Sequence, residues 1–161
     1  MSKGLRLFGH PLHMMLVHFP IALWSVSLLG DVAWLWRGET LWAEMAFWSI
    51  GAGLALAVPT AVTGFVDYLA LAGGQAERVA LRHMIVMLSA AGVFTVSLVV
   101  QGGPTAATRP RMIAATLISA SGVVLIGFGA WLGGELVLRH GIGRVDSRSG
   151  SHDEYPNKAR V

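Results

Sequence analysis

The residues of this chain best suited to do chemistry are histidines, and five of the six lie near the ends of apolar segments. Cysteine is absent, so the chain can form no disulfide, no cysteine-ligated iron–sulfur cluster and no covalent c-type haem. Imidazole nitrogens, in contrast, bind haem iron, zinc, non-haem iron and copper. The five histidines are His10, His13, His18, His83 and His140. Any metal or haem site must therefore be built from imidazole, carboxylate or thioether groups.

The elements that carry these histidines are long and apolar. Of 161 residues, 54% are hydrophobic and 13% are charged, against about 25% charged in an ordinary soluble domain. Each of four runs is long enough to cross a bilayer as a helix: residues 14–36, 41–71, 79–100 and 112–138. The sequence predicts an all-α integral membrane protein, a four-helix bundle with up-down-up-down topology over residues 1–142. Residues 143–161 form a polar stretch predicted to be a flexible tail, and no internal repeat is visible.

Basic residues flank the four runs unequally. Nine lie on the side of both termini and three on the other side. The positive-inside rule then places both termini of this multi-pass membrane protein in the cytoplasm. The lipid bilayer is the expected partner, and no nucleic acid is expected, because the basic residues lie at span ends rather than on one solvated face. Whether the chain forms a homo-oligomer is left open.

This topology brings histidines and carboxylates to one membrane level. Spans one and three lie diagonally across such a bundle, so His18 and His83 are predicted to face each other as axial ligands of one b-type haem. The helical spacing of Ala22, Ser25 and Leu29 predicts an inward face for His18. The spacing leaves open whether Pro20 starts or kinks the first helix.

Other polar residues near the same level are secondary candidates. His10 and His140 could replace an axial ligand or form a second pair, and His140 could equally cap its helix. Asp67 and Glu135 could accept protons, or contact haem propionates through nearby Arg82 and Arg139. At the other end, Asp31 is expected to pair with Arg37 or with an arginine of the third loop.

Several segments of the sequence resemble those of one protein family. They are HPLHMMLVHFPIAL at the start, GFVDY at residues 64–68, His83, and WLGGELVLRHGIG near the end. The resemblance is to small four-span bacterial membrane proteins with a domain of unknown function, and it covers roughly residues 8–143. It implies a location in the bacterial inner (plasma) membrane. Some relatives are fused to Rieske-type iron–sulfur domains, which implies membrane redox chemistry in those relatives. Since this chain lacks cysteine, a redox partner would be a quinone or a separate protein.

Three functions are compatible with these residues, and whether any involves catalysis is left open. The first is a membrane electron-transfer protein that binds haem b near the cytoplasmic face and exchanges electrons with a quinone or a redox partner protein. The second is a non-haem site for zinc, iron or copper. The third is a non-catalytic scaffold or assembly subunit, in which the same side chains form hydrogen bonds between helices.

Overall fold

The protein is a bundle of four long helices preceded by a small β-hairpin. The computed structural model describes residues 4–143. The helices are α1 (Leu12–Leu16), α2 (His18–Arg37), α3 (Thr40–Leu69), α4 (Gln75–Gln101) and α5 (Arg109–Leu138), and the hairpin strands are β1 (Arg6–Leu7) and β2 (His10–Pro11). Helix α2 packs on α3 and α5, and α4 packs on α5 and α3, so α2 and α4 lie diagonally. The predicted all-α bundle is confirmed, and the predicted tail from residue 144 onward lies outside the described residues.

Four spans are long and apolar enough to cross a membrane: Leu12–Arg37, Thr40–Leu69, Gln75–Gln101 and Arg109–Leu138. Their outer faces are apolar, with Val99, Leu29 and Leu138 each about 70% exposed. Such surface is stable against lipid rather than water. The chain is therefore a membrane-spanning protein.

Pro20 interrupts the first span without ending it. The helix begins at Leu12, breaks at Val17 and resumes at His18, which puts Pro20 in the first turn of α2. Proline has no N–H to donate to the carbonyl four residues earlier, and its ring collides with that carbonyl. The carbonyl is that of Leu16, the last residue of α1, so the position of the break follows from Pro20.

The middle of the bundle is filled by two stacked aromatic rings. The rings of Trp24 on α2 and Phe94 on α4 lie 4.9 Å apart at 10°, and both side chains are buried. Each ring packs over a glycine of the adjacent helix. A Cβ on Gly53 would lie 2.5 Å from the indole nitrogen of Trp24, and a Cβ on Gly122 would lie 2.6 Å from the ring of Phe94. Glycine is required at both positions because any side chain would displace a core ring.

The two helical hairpins, α1–α2–α3 and α4–α5, are an internal repeat. Inward-facing residues of α1 and α2 recur 70 positions later in α4: His13 and His83, Trp24 and Phe94, Ser27 and Ser97, Asp31 and Gln101. Six of the seven buried positions of α3 recur 69 positions later in α5: Ala43 and Met112, Ala46 and Ala115, Ile50 and Ser119, Gly53 and Gly122, Thr60 and Gly129, Thr63 and Leu132. The expectation that the chain has no internal repeat is wrong. Few of the paired residues are identical, because the positions correspond in burial more than in residue type.

Candidate functional site

The repeat brings His13 and His83 together between the two hairpins. Their ring centres are 6.4 Å apart and the ring planes are perpendicular. Both side chains are partly buried. They lie at the end of the bundle where α1 and α4 begin and α3 and α5 end, which we call the histidine end. Because the two residues occupy equivalent positions of the repeat, the space between them lies where the two halves meet.

Each imidazole is held by a backbone carbonyl of the next helix. Nδ1 of His13 lies 2.9 Å from the carbonyl oxygen of Thr60, and Nδ1 of His83 lies 2.8 Å from that of Gly129. A carbonyl oxygen only accepts hydrogen bonds, so Nδ1 carries the proton in both rings. In a neutral imidazole the lone pair is then on Nε2, the atom free to bind a metal.

Glycines lie against both rings. A Cβ on Gly64 would be 2.8 Å from Cε1 of His13, and a Cβ on Gly133 would be 3.3 Å from Cε1 of His83. Each glycine comes four residues after the carbonyl that binds the same histidine. The arrangement of carbonyl, ring and glycine therefore occurs twice, once in each half of the bundle.

His18 does not take part in this arrangement, and its predicted inward face is wrong. His18 is exposed, as are Ala22 and Leu29, which were expected on the same inward stripe. The buried side of α2 carries Pro20, Trp24, Ser27 and Asp31 instead. At about 100° per residue, His18 lies six residues and so about 240° from Trp24, on another side of the helix. The inward face predicted for His83 is confirmed, since Ala90, Phe94 and Ser97 share it and are buried.

The remaining candidates lie at the histidine end but outside the pair. His10 is exposed in β2, and Arg82 is exposed on α4. His140 follows α5 and is partly buried; its Nε2 is buried without a hydrogen-bond partner among the described residues. Their predicted cofactor-binding roles stay predictions.

The two carboxylates at this end have local partners. Asp67 Oδ1 accepts a hydrogen bond of 2.9 Å from the amide of Leu5, which ties the N-terminal hairpin to α3. Glu135 pairs with Arg139 one turn later on α5, at 3.4 Å. Both contacts suit structural anchoring, and the predicted roles in proton transfer or propionate contact stay predictions.

Asp31 forms a second buried polar cluster at the opposite end of the bundle. It is fully buried, and its Oδ1 accepts a 2.9 Å hydrogen bond from Nε2 of Gln101, the equivalent residue of the other half. Ser97 and Ser119 are hydrogen-bonded to each other and fully buried. The expectation that Asp31 pairs with an arginine is wrong. Arg37 pairs with Glu39 at 3.6 Å, and within residues 4–143 no arginine lies within 4.0 Å of Asp31.

The His13–His83 pair offers two imidazole nitrogens as metal ligands. Within the described part of the chain, no three or more histidine and carboxylate side chains are grouped closely enough to hold a metal ion. One sequence signal points to the position of His13 beside His83. HM recurs at 13–14 and 83–84, and VSL recurs at 26–28 and 96–98, with the same offset of 70.

Comparisons with known proteins agree with this architecture. The model of a family described as "Predicted membrane protein (DUF2231)" matches residues 9–146. Neither the curated proteins nor the solved structures contain a match. The match covers most of the chain, including strand β2, all four spans and both histidines of the pair. The chain therefore belongs to the DUF2231 family of predicted membrane proteins.

Proposed function

We propose that the protein is a membrane electron-transfer protein in which His13 and His83 are the two axial ligands of one b-type haem. The observation that carries this proposal is the distance between the rings. An imidazole nitrogen lies about 2.0 Å from its metal, and C–N bonds of about 1.33 Å put the ring centre about 1.1 Å behind that nitrogen. Two imidazoles on opposite sides of one ion thus have centres about 6.2 Å apart. The measured 6.4 Å supports such a pair.

The hydrogen bonds of the two rings also suit ligation. Metal-binding histidines almost always donate their other N–H to a carboxylate, a carbonyl or water, which fixes the tautomer and the ring orientation. Thr60 and Gly129 supply such carbonyls to His13 and His83. The same hydrogen bonds join α1 to α3 and α4 to α5, and they leave Nε2 of each ring as the nitrogen that would bind a metal.

The number of ligands favours haem over a bare metal ion. Zinc sites use three or four protein ligands, and non-haem iron sites use at least three. A haem supplies four ring nitrogens of its own and needs only two ligands from the protein. The His13–His83 pair provides that number.

Ligation by two histidines points to electron transfer. A haem held by both His13 and His83 would have its protein-binding positions filled, so the chemistry that it would supply is gain and loss of an electron rather than binding of oxygen or a substrate. The protein would exchange electrons with a quinone in the bilayer or with a partner protein. In the sequence, the segments on the side of both termini carry nine basic residues against three on the other side, which supports a cytoplasmic location for both termini, in the bacterial inner membrane.

The test is a reduced-minus-oxidised absorption spectrum of protein purified in detergent after expression with added haem precursor. We expect one haem per chain in the wild type, and loss of most of it in His13→Ala and in His83→Ala. His18→Ala is the matched control, since it removes an exposed histidine five residues from His13, and it should keep its haem.

Two results would contradict the proposal. The first is wild-type protein without a haem spectrum, which would favour a scaffold, or a zinc, iron or copper site if elemental analysis then finds such a metal. The second is loss of haem in His18→Ala but not in His13→Ala, which would restore His18 as the ligand. Circular dichroism of each variant separates loss of haem from loss of fold.

A further inference from the structure

A groove on the outer face of the second hairpin changes from basic to apolar along its length. It lies between α4 and α5, with a volume of about 530 Å³. Arg78, Arg82 and Glu135 line it at the histidine end, and Ile85, Phe128 and Trp131 line it further toward the middle of the bundle. At 1.5 Å per residue, the step from Arg78 to Ile85 is about 10 Å. The groove therefore runs from the level of a lipid headgroup into the level of the acyl chains.

The cations of the groove have no carboxylate partner in the described part of the chain. Within residues 4–143 the only ion pairs are Arg37 with Glu39 and Glu135 with Arg139. Arg78 and Arg82 are both exposed and lie one turn apart on the same face of α4. Glu135, the one acidic residue in the groove, is already paired. Two adjacent guanidinium groups are thus available to bind an anion.

The apolar part of the groove has an aromatic wall. The rings of Phe128 and Trp131 on α5 stack at 5.7 Å and 22°, and both are more than half exposed. Ile85 faces them from α4 and is 55% exposed. A fatty acyl chain fits such a wall, because it offers apolar contact along its whole length.

The equivalent positions of the first hairpin lack these features. Arg82 corresponds to Leu12, Trp131 to Val62 and Glu135 to Val66. The fold therefore does not require a basic and aromatic groove, since the other half of the repeat forms the same helices without one.

We infer that this groove binds an anionic phospholipid, with the headgroup phosphate on Arg78 and Arg82 and one acyl chain along Ile85, Phe128 and Trp131. Basic pockets between membrane helices bind anionic headgroups in this way. The inference rests on neither histidine of the pair and stands independently of haem binding.

The first experiment measures lipid binding by native mass spectrometry, with the full chain titrated with phosphatidylglycerol or phosphatidylcholine. Each arginine near a headgroup contributes about fivefold to affinity, so Arg78→Gln/Arg82→Gln should bind phosphatidylglycerol roughly 25-fold more weakly. Phosphatidylcholine, whose phosphate charge is offset by its own choline, should lose much less affinity than phosphatidylglycerol. The controls are Arg6→Gln, at the same end but outside the groove, and Arg37→Gln/Arg109→Gln, which removes the same charge at the other end.

The second experiment locates the lipid through Trp131 fluorescence. The emission of Trp131 is the part of the tryptophan fluorescence that disappears in Trp131→Phe. In vesicles, brominated phosphatidylglycerol should quench this emission more strongly than brominated phosphatidylcholine does. The double arginine variant should abolish that difference. Equal quenching by the two lipids in the wild type, or equal weakening of phosphatidylglycerol binding by the control variants, would overturn the inference.

Discussion

Replacement of Gly64 by alanine should move His13 out of its position, and the size of the effect follows from one distance. A Cβ at Gly64 would lie 2.8 Å from Cε1 and 2.9 Å from Nδ1 of His13. Carbon atoms prefer a separation of about 3.5–4.0 Å, so the ring must move by roughly 0.7 Å or more. The bond from Nδ1 to Thr60, now 2.9 Å, would then approach or exceed 3.5 Å and be lost.

The free energy of unfolding should fall as a result. Overpacking costs about 1–3 kcal/mol and the lost hydrogen bond about 0.5–1.5 kcal/mol. Removal of a helical glycine returns up to about 1 kcal/mol. The expected net loss for Gly64→Ala is therefore about 0.5–4.5 kcal/mol, measured by thermal or detergent-induced unfolding.

Two other glycines provide the comparison. Gly133→Ala should cost less, because its Cβ would lie 3.3 Å from His83, close to an ordinary contact. Gly51→Ala, on α3 with nothing within 4 Å of the added Cβ, should be neutral or slightly stabilising. If Gly64→Ala is as stable as Gly51→Ala and keeps the haem content of the wild type, the close packing of Gly64 against His13 is refuted.

Three further predictions concern the rest of the bundle. Gln101→Leu should lower the free energy of unfolding by about 1–3 kcal/mol, because fully buried Asp31 loses the hydrogen bond from Gln101, and Asp31→Leu/Gln101→Leu should recover much of that loss in a double-mutant cycle. Trp24→Ala should lower the free energy of unfolding by an amount near the lower end of about 3–5 kcal/mol, because lipid already solvates the unfolded helices and the loss is mainly one of packing. A decrease of less than 1 kcal/mol would contradict the stacked core. Asp67→Ala should speed hydrogen exchange at the Leu5 amide, read by mass spectrometry, without a comparable change in the middle of α3. Unchanged exchange at the Leu5 amide would show that Asp67 does not anchor the hairpin.

The sequence predicts the fold well because membrane helices are coded by long apolar runs. Four spans, their order and the diagonal placement of α2 and α4 all follow from hydropathy and short loops. Bounds differ where polar residues continue a helix beyond its apolar part. Helix α4 begins at Gln75 rather than at 79, and α5 begins at Arg109 rather than at 112.

The site is harder to predict because it depends on which way each helix faces. In a span where nearly every residue is apolar, the usual contrast between a polar and an apolar face is weak, and His18 and His13 are both compatible with the pattern. The packing of Trp24 over Gly53 sets the rotation of α2, and hydropathy does not report it. Similarly, the carbonyls of Thr60 and Gly129 that hold the two rings are backbone groups, which any residue type would supply.

Low-temperature electron paramagnetic resonance of the oxidised, detergent-purified protein reports directly on whether His13 and His83 bind one haem. Two imidazole ligands predict low-spin ferric haem, and the perpendicular rings of His13 and His83 predict the strongly anisotropic form of that signal. This signal should be lost in His13→Ala and in His83→Ala and retained in His18→Ala. A high-spin signal in the wild type, or a low-spin signal that survives in His13→Ala, would contradict haem binding by His13 and His83.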